Sequence, residues 1–209
     1  MALRVMGRSF IGLGAFIILF LLYQVFGTNF VTGREQAALA SELKQRWESG
    51  LNTAGDSKPN LGEGIAVIQI PKIGVNSVVV EGVEVEDLKK GPGHYPETAL
   101  PGQLGNVVVS GHRTTYGAPF YRLDELEEGD EIVVFDATGP FRYRVAETKV
   151  VEPTQISVIA PSSDARLTLT TCHPRFSARQ RLIVVAMLEG APAGAADSAP
   201  EGDEVPGPA

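Results

Sequence analysis

The chain has 209 residues, 44% hydrophobic and 21% charged, ordinary globular proportions once the first 60 or so are set apart. Its net charge is -7, with 12 Lys/Arg against 17 Asp/Glu between residues 61 and 190, a balance that argues against a nucleic-acid surface. A single cysteine, Cys172, excludes an intrachain disulfide framework and makes that thiol a candidate for chemistry.

Residues 1–9 carry Arg4 and Arg8 ahead of "FIGLGAFIILFLLYQVF", an uncharged run from Phe10 to Phe26. Its length is the short end of a membrane-spanning helix, and no small-x-small cleavage pattern follows it, so an uncleaved signal anchor over residues 10–26 is expected. The flanking charges favour a cytoplasmic N-terminus, although Arg34, Lys44 and Arg46 follow the span; a single-pass protein of the cell membrane with its domain outside is expected.

Residues 27–62 read as a stalk and linker. "GREQAALASELKQRWESG" (Gly33 to Gly50) is rich in helix formers, and the small, turn-forming residues 51–62 lead into the domain. At the other end, residues 191–209 form an acidic Pro/Gly/Ala tail, too poor in apolar surface to offset its ordering entropy.

The domain is expected over residues 63–190. Short β-branched runs predict strands at Ile65–Ile70, Val75–Val80, Asn106–Ser110, Glu131–Asp136, Phe141–Val151, Arg166–Thr171 and Leu182–Met187. Seven or eight strands at this spacing indicate a sandwich or closed barrel. "DATG" (Asp136 to Gly139) is a hairpin turn, and "YRLDELEEGD" (Tyr121 to Asp130) a short helix or turn before the next strand.

In "RLTLTTCHP" the alternation of Leu167, Leu169 and Thr171 predicts a strand with one buried face, ending at Cys172 before Pro174. A buried structural thiol is the plain alternative to a nucleophile. A nucleophilic cysteine needs a nearby base or cation. His112, just past the strand "NVVVS", could meet it at one rim, whereas His173 is expected to point away. No evident third member of a Cys-His-Asn/Asp triad stands out. Arg181, opening the strand "LIVVAM", should adjoin Cys172 across an antiparallel pair and could supply donors to an oxyanion. Arg175 and Arg179 read as solvated loop charges, Glu127 and Glu128 as a solvated face, and His94 as loop packing. No metal-ligand spacing is present.

The anchor, "SGHRT" after a strand, "LTTC" at a strand end and an arginine opening "RLIVVA" nine residues later together resemble the sortases. "GPGHYPETALPGQLGNVVVSGHRTTYGAPFYRLDEL" and "TLTTCHP" are similar to class E housekeeping sortases of high-GC Gram-positive bacteria, over about Ile65 to Leu188. The resemblance implies a mainly β fold, an eight-stranded barrel with short helices. It also implies Cys172 as nucleophile, His112 as general acid/base and Arg181 as oxyanion donor, with no metal or organic cofactor. The implied reaction cleaves a C-terminal LAXTG or LPXTG sorting signal between Thr and Gly through a thioester. The implied partners are such signals on secreted proteins and the amine of a peptidoglycan precursor. Tyr95 in "GPGHYP" is a candidate selector of Ala over Pro, and Thr171 a candidate substrate contact.

Two alternatives stand beside this reading: a pilin-polymerising class C sortase, and a non-catalytic extracytoplasmic binding domain with a buried cysteine. An L,D-transpeptidase would share the nucleophile type, but its Ser-His-Gly-Cys motif is missing here.

Overall fold

The computed structural model describes residues 2–22, 28–49 and 59–190. Helix α1 (Ala2–Leu22) contains the start of the apolar run. The expected span 10–26 continues into residues 23–27, which lie outside the described residues, as do the tail and most of the linker. Among the described residues no helix is long and apolar enough to cross a membrane.

Eight strands close into one barrel. They are β1 (Gly64–Ile70), β2 (Val75–Glu81), β3 (Gly93–His94), β4 (Gly105–Ser110), β5 (Glu131–Asp136), β6 (Gly139–Val151), β7 (Ala165–His173) and β8 (Gln180–Leu188). The order around the barrel is β1-β2-β3-β4-β7-β8-β6-β5. All seven predicted strands are present. The addition is β3, two residues long, which pairs parallel with β2 and antiparallel with β4; it is too short to show a period in sequence.

Alternation drives closure. Ala66, Ile68 and Ile70 of β1, Val107 and Val109 of β4, and Leu167 and Leu169 of β7 share one interior cluster with Phe120, Leu123, Ile132, Tyr143 and Val184, so every second side chain leaves water. The sharpest turn follows Asp136: its carboxylate accepts from the Thr138 backbone N–H at 2.7 Å, and Gly139 takes φ 137° to begin β6. The "LDE" of the predicted helix or turn forms a 3-10 turn, Leu123–Glu125, with Leu123 buried in the core.

Outer faces are covered twice. The turn Ile156–Ile159 in the β6–β7 loop brings Val158 against Val151, Ile183 and Val185. Helix α2 (Thr28–Glu48) covers β1 and β2, with Leu39 and Leu43 buried on Val78 and Val80 and flanked by Trp47 and Val67. Gln36 acts as an extra strand edge: its side chain accepts from Val78 N–H at 2.7 Å and donates to Val78 O and Lys90 O. Arg46 donates to Gly64 O and pairs with Glu63. The helix expected as a stalk is packed onto the barrel, because its apolar stripe covers outward-facing valines there.

Candidate active site

The three motifs converge through register. Strands β4 and β7 run parallel, with Ser110 opposite Thr170, and the Gly111 N–H donates to Thr170 O at 3.1 Å. The ladder ends there, and carrying its register two residues further brings the segment of His112 alongside that of Cys172. On the other side of β7, Cys172 is paired directly with Arg181 of the antiparallel β8. Directly paired residues share a face. Cys172 thus stands between His112 and Arg181, on the outer side of the barrel and opposite in phase to the inward Leu167 and Leu169.

The thiol is free and half-buried. The Arg181 guanidinium donates to Ala178 O at 3.0 Å and Gln180 O at 3.1 Å through one nitrogen. His112 has its Nε2 buried with no hydrogen-bond partner, and desolvation pulls its pKa below the ordinary imidazole range. The Tyr116 ring lies over it, centroids 5.0 Å apart. Tyr116, Gly117 and Ala118 all take positive φ, so a tight left-handed turn carries the aromatic cover. An unpartnered, dry imidazole nitrogen is suited to meeting a substrate proton.

The groove has structured walls. The buried Asn106 of β4 donates to Val158 O and Ala160 O, fixing the β6–β7 loop, and accepts from Thr168 Oγ1 at 2.7 Å. Beyond Cys172, an open cavity of about 490 Å³ is lined by Glu152, His173, Pro174, Arg179 and Gln180.

A family model described as "Sortase domain" matches residues 68–189. The chain belongs to the sortase family. It is 36% identical over 199 residues to Sortase SrtE1 of Streptomyces coelicolor, covering 88% of this chain and 56% of that one; the chain thus spans just over half the length of that relative. Among solved structures, sortase E from Streptomyces avermitilis is 42% identical, covers 64% of this chain and 92% of that one, and superposes with a TM-score of 0.58. A Clostridium perfringens Sortase D5 transpeptidase, 31% identical, covers 75% and 99% respectively, at a TM-score of 0.67. The closed eight-stranded barrel is the sortase fold, and the family is one of cysteine transpeptidases.

The remaining sequence-predicted site residues of this sortase fall in two places. Tyr95 follows β3, donating its backbone N–H to Val108 O at 2.9 Å. It is half-buried, and the pairing sets it on the outer face with Val108, four residues down β4 from His112. Thr171 is 2% exposed and its hydroxyl donates to Gly111 O at 2.7 Å. It is corrected from a substrate contact to a clamp, because it points inward in phase with Leu169 and its one proton is committed to the residue before His112.

Some charged residues read as bland are built into this sortase. His94 is buried, its Nδ1 2.7 Å from Glu81 and its Nε2 sharing Thr98 Oγ1 and Ala99 O, which shapes the turn after Tyr95. Arg175, read as a solvated loop charge, is partly exposed but held in place: it binds Asp124 at 2.9 Å and lies 4.5 Å over the Tyr121 ring. Arg113, to which sequence reasoning gave no role, is buried with its guanidinium on Cys172 O. Its only sequence signal was its place beside His112, since burial of a charge leaves no periodic trace.

Proposed function

We propose that this sortase is a membrane-anchored transpeptidase of the class E kind. It cleaves a C-terminal LAXTG or LPXTG sorting signal between Thr and Gly, and transfers the protein to the amine of a peptidoglycan precursor. The observation that carries this reading is the direct pairing of Cys172 with Arg181 across β7 and β8, with β4, which leads into His112, running beside β7. Similarity to sortase E from Streptomyces avermitilis supports the class, and the apolar run from Phe10 to Phe26 supports an anchor with the domain outside the cell.

Each step follows from the groups present. The Cys172 sulfur passes its proton to His112 Nε2 and attacks the Thr carbonyl carbon, and the negative charge moves to the carbonyl oxygen, where Arg181 supplies N–H donors. Collapse breaks the C–N bond, and His112 protonates the departing glycine amine through Nε2, leaving a thioester. The acceptor amine then attacks the thioester carbonyl, His112 takes its proton, and as the C–S bond breaks His112 returns that proton to the sulfur, restoring the thiol and the neutral imidazole. Desolvation keeps His112 largely neutral near pH 7, which suits it to accept a proton in this second half.

Tyr95 is assigned to selecting the residue two before Thr. An extended peptide advances about 3.3 Å per residue. That residue therefore lies about 7 Å down the groove, in reach of a tyrosine side chain set about 13 Å down.

The test uses the full chain in detergent with fluorogenic LAXTG and LPXTG peptides and Cys172→Ala. The expected result is cleavage preferring LAXTG, lost in Cys172→Ala, with an acyl adduct on Cys172 by mass spectrometry. A folded chain that cleaves neither peptide and whose thiol resists alkylation would make the cysteine structural.

A further inference from the structure

The transfer steps above use Arg181 and leave unexplained a second guanidinium beside the nucleophile. The Arg113 side chain is 2% exposed, and all three of its nitrogens are engaged. Nε donates to Tyr121 O at 3.3 Å, Nη2 pairs with Asp124 Oδ1 at 2.9 Å, and Nη1 donates to Cys172 O at 3.3 Å while facing His173 Nδ1 at 3.3 Å.

Asp124 extends the network outward. It binds Arg175 at 2.9 and 3.2 Å, and Arg175 also donates to Tyr121 O. Burial works against the Asp124 charge, but Arg113 and Arg175 outweigh it and hold its carboxyl below the usual carboxylate range. Three segments meet here: the residues after His112, the 3-10 turn carrying Asp124, and the β7–β8 loop.

We infer that Arg113, anchored by Asp124, is a positioning residue that sets Cys172 against His112. The regular ladder between β4 and β7 ends at Ser110 and Thr170, with one more bond from Gly111 N–H. Past that point the two segments are cross-linked by Thr171 to Gly111 O and by Arg113 to Cys172 O. The second link joins the residue bonded to His112 with the main chain of the nucleophile itself. A buried ion pair is weak support for stability, since desolvation offsets its attraction, but a planar fork with partners on three sides fixes geometry in a way that a lysine cannot. It also fixes His173: with Nδ1 accepting from the guanidinium, the ring proton sits on Nε2.

The inference rests on the reaction proposed above, so its test includes readouts that need no substrate. The full chain in detergent is compared with Arg113→Gln, Arg113→Lys and Asp124→Asn. The measurements are peptide-cleavage kinetics, the rate of Cys172 alkylation by iodoacetamide, thermal unfolding, and the ¹⁵N shifts of His173. Misplacing a reacting group by about 1 Å costs up to ~100-fold, so kcat should fall roughly 10- to 100-fold in both Arg113 variants, with KM within about threefold. Alkylation, which needs an accessible and ionisable thiol but no alignment with His112, should stay within about threefold of wild type. The His173 spectrum should lose its single-tautomer signature in Arg113→Gln.

Lysine restoring full kcat would mean that charge alone suffices and would overturn the positioning role. So would a folded Arg113→Gln with unchanged kcat and an unchanged His173 spectrum. Should the Arg113 variants fail to fold, Asp124→Asn decides, since Asp124 lies at the exposed end of the pair: a kcat decrease of about three- to tenfold supports the inference, and wild-type kcat refutes it. A wild-type chain that cleaves no peptide would count against the reaction, whereas an unmoved His173 signal in Arg113→Gln would count against this contact.

Discussion

Replacing Thr171 by valine removes one oxygen and leaves the shape nearly unchanged. Thr171 is 2% exposed, and its hydroxyl is 2.7 Å from Gly111 O, with Gly111 also buried. Valine opens no cavity, so the cost is the lost bond plus a carbonyl left dry and unpaired, about 1–3 kcal/mol. For a folded part of this size each kcal/mol lowers Tm by roughly 3–5 °C, which gives a fall of about 3–15 °C. Gly111 also sets the backbone entering His112, so cleavage should slow about tenfold with KM little changed.

Serine separates bond from bulk. It keeps the hydroxyl and loses one methyl, worth about 0.8 kcal/mol plus a small cavity. Thermal unfolding and steady-state kinetics on both variants give the answer. Were Thr171→Ser the more damaging change and Thr171→Val indistinguishable from wild type, the hydroxyl would not be the clamp, and the argument linking β7 to His112 would fail.

Other expectations follow from the same geometry. Arg181→Lys should lower kcat by about 10²–10³ while Cys172 alkylation holds, because a lysine cannot present a fork of donors to the oxyanion; equal loss in both assays would point to a misfolded strand end. His112 has a depressed pKa caused by burial, so the unfolded chain binds its proton first. The stability gained by keeping the ring neutral is full above about pH 6.5 and is lost as pH falls through the folded value. His112→Gln should therefore flatten the decline of Tm on the acid side, and an identical slope would remove the assignment. Leu43→Ala, beneath the docked helix α2, should cost about 2–3 kcal/mol by loss of buried side chain and by the cavity left; an unchanged Tm would return the helix to a free stalk.

The sequence by itself determined the strands and the end of each that matters. β-branched alternation marked β1, β2 and β4 to β8, and Leu167, Leu169 and Thr171 already told which face of β7 points into the barrel. Local rules suffice there, because a strand's period and its stop at Pro174 are properties of neighbouring residues. The antiparallel hairpin even brought Arg181 to Cys172, since a short loop fixes its own register.

What only the tertiary structure decided depends on residues distant along the chain. Parallel pairing of β4 with β7 has no connecting turn to announce it, yet it brings the segment entering His112 alongside the one entering Cys172. The same pairing gave the Thr171 proton to Gly111 and not to a substrate. Helix α2 looked like a stalk until Val78 and Val80 offered it an apolar seat. Arg175 read as a solvated loop charge and Arg113 and Asp124 drew no reading, because a lone charged residue carries no sign of its partners. Only closure of the barrel brings their partners within reach, and for the buried Arg113 desolvation then makes the pairing obligatory.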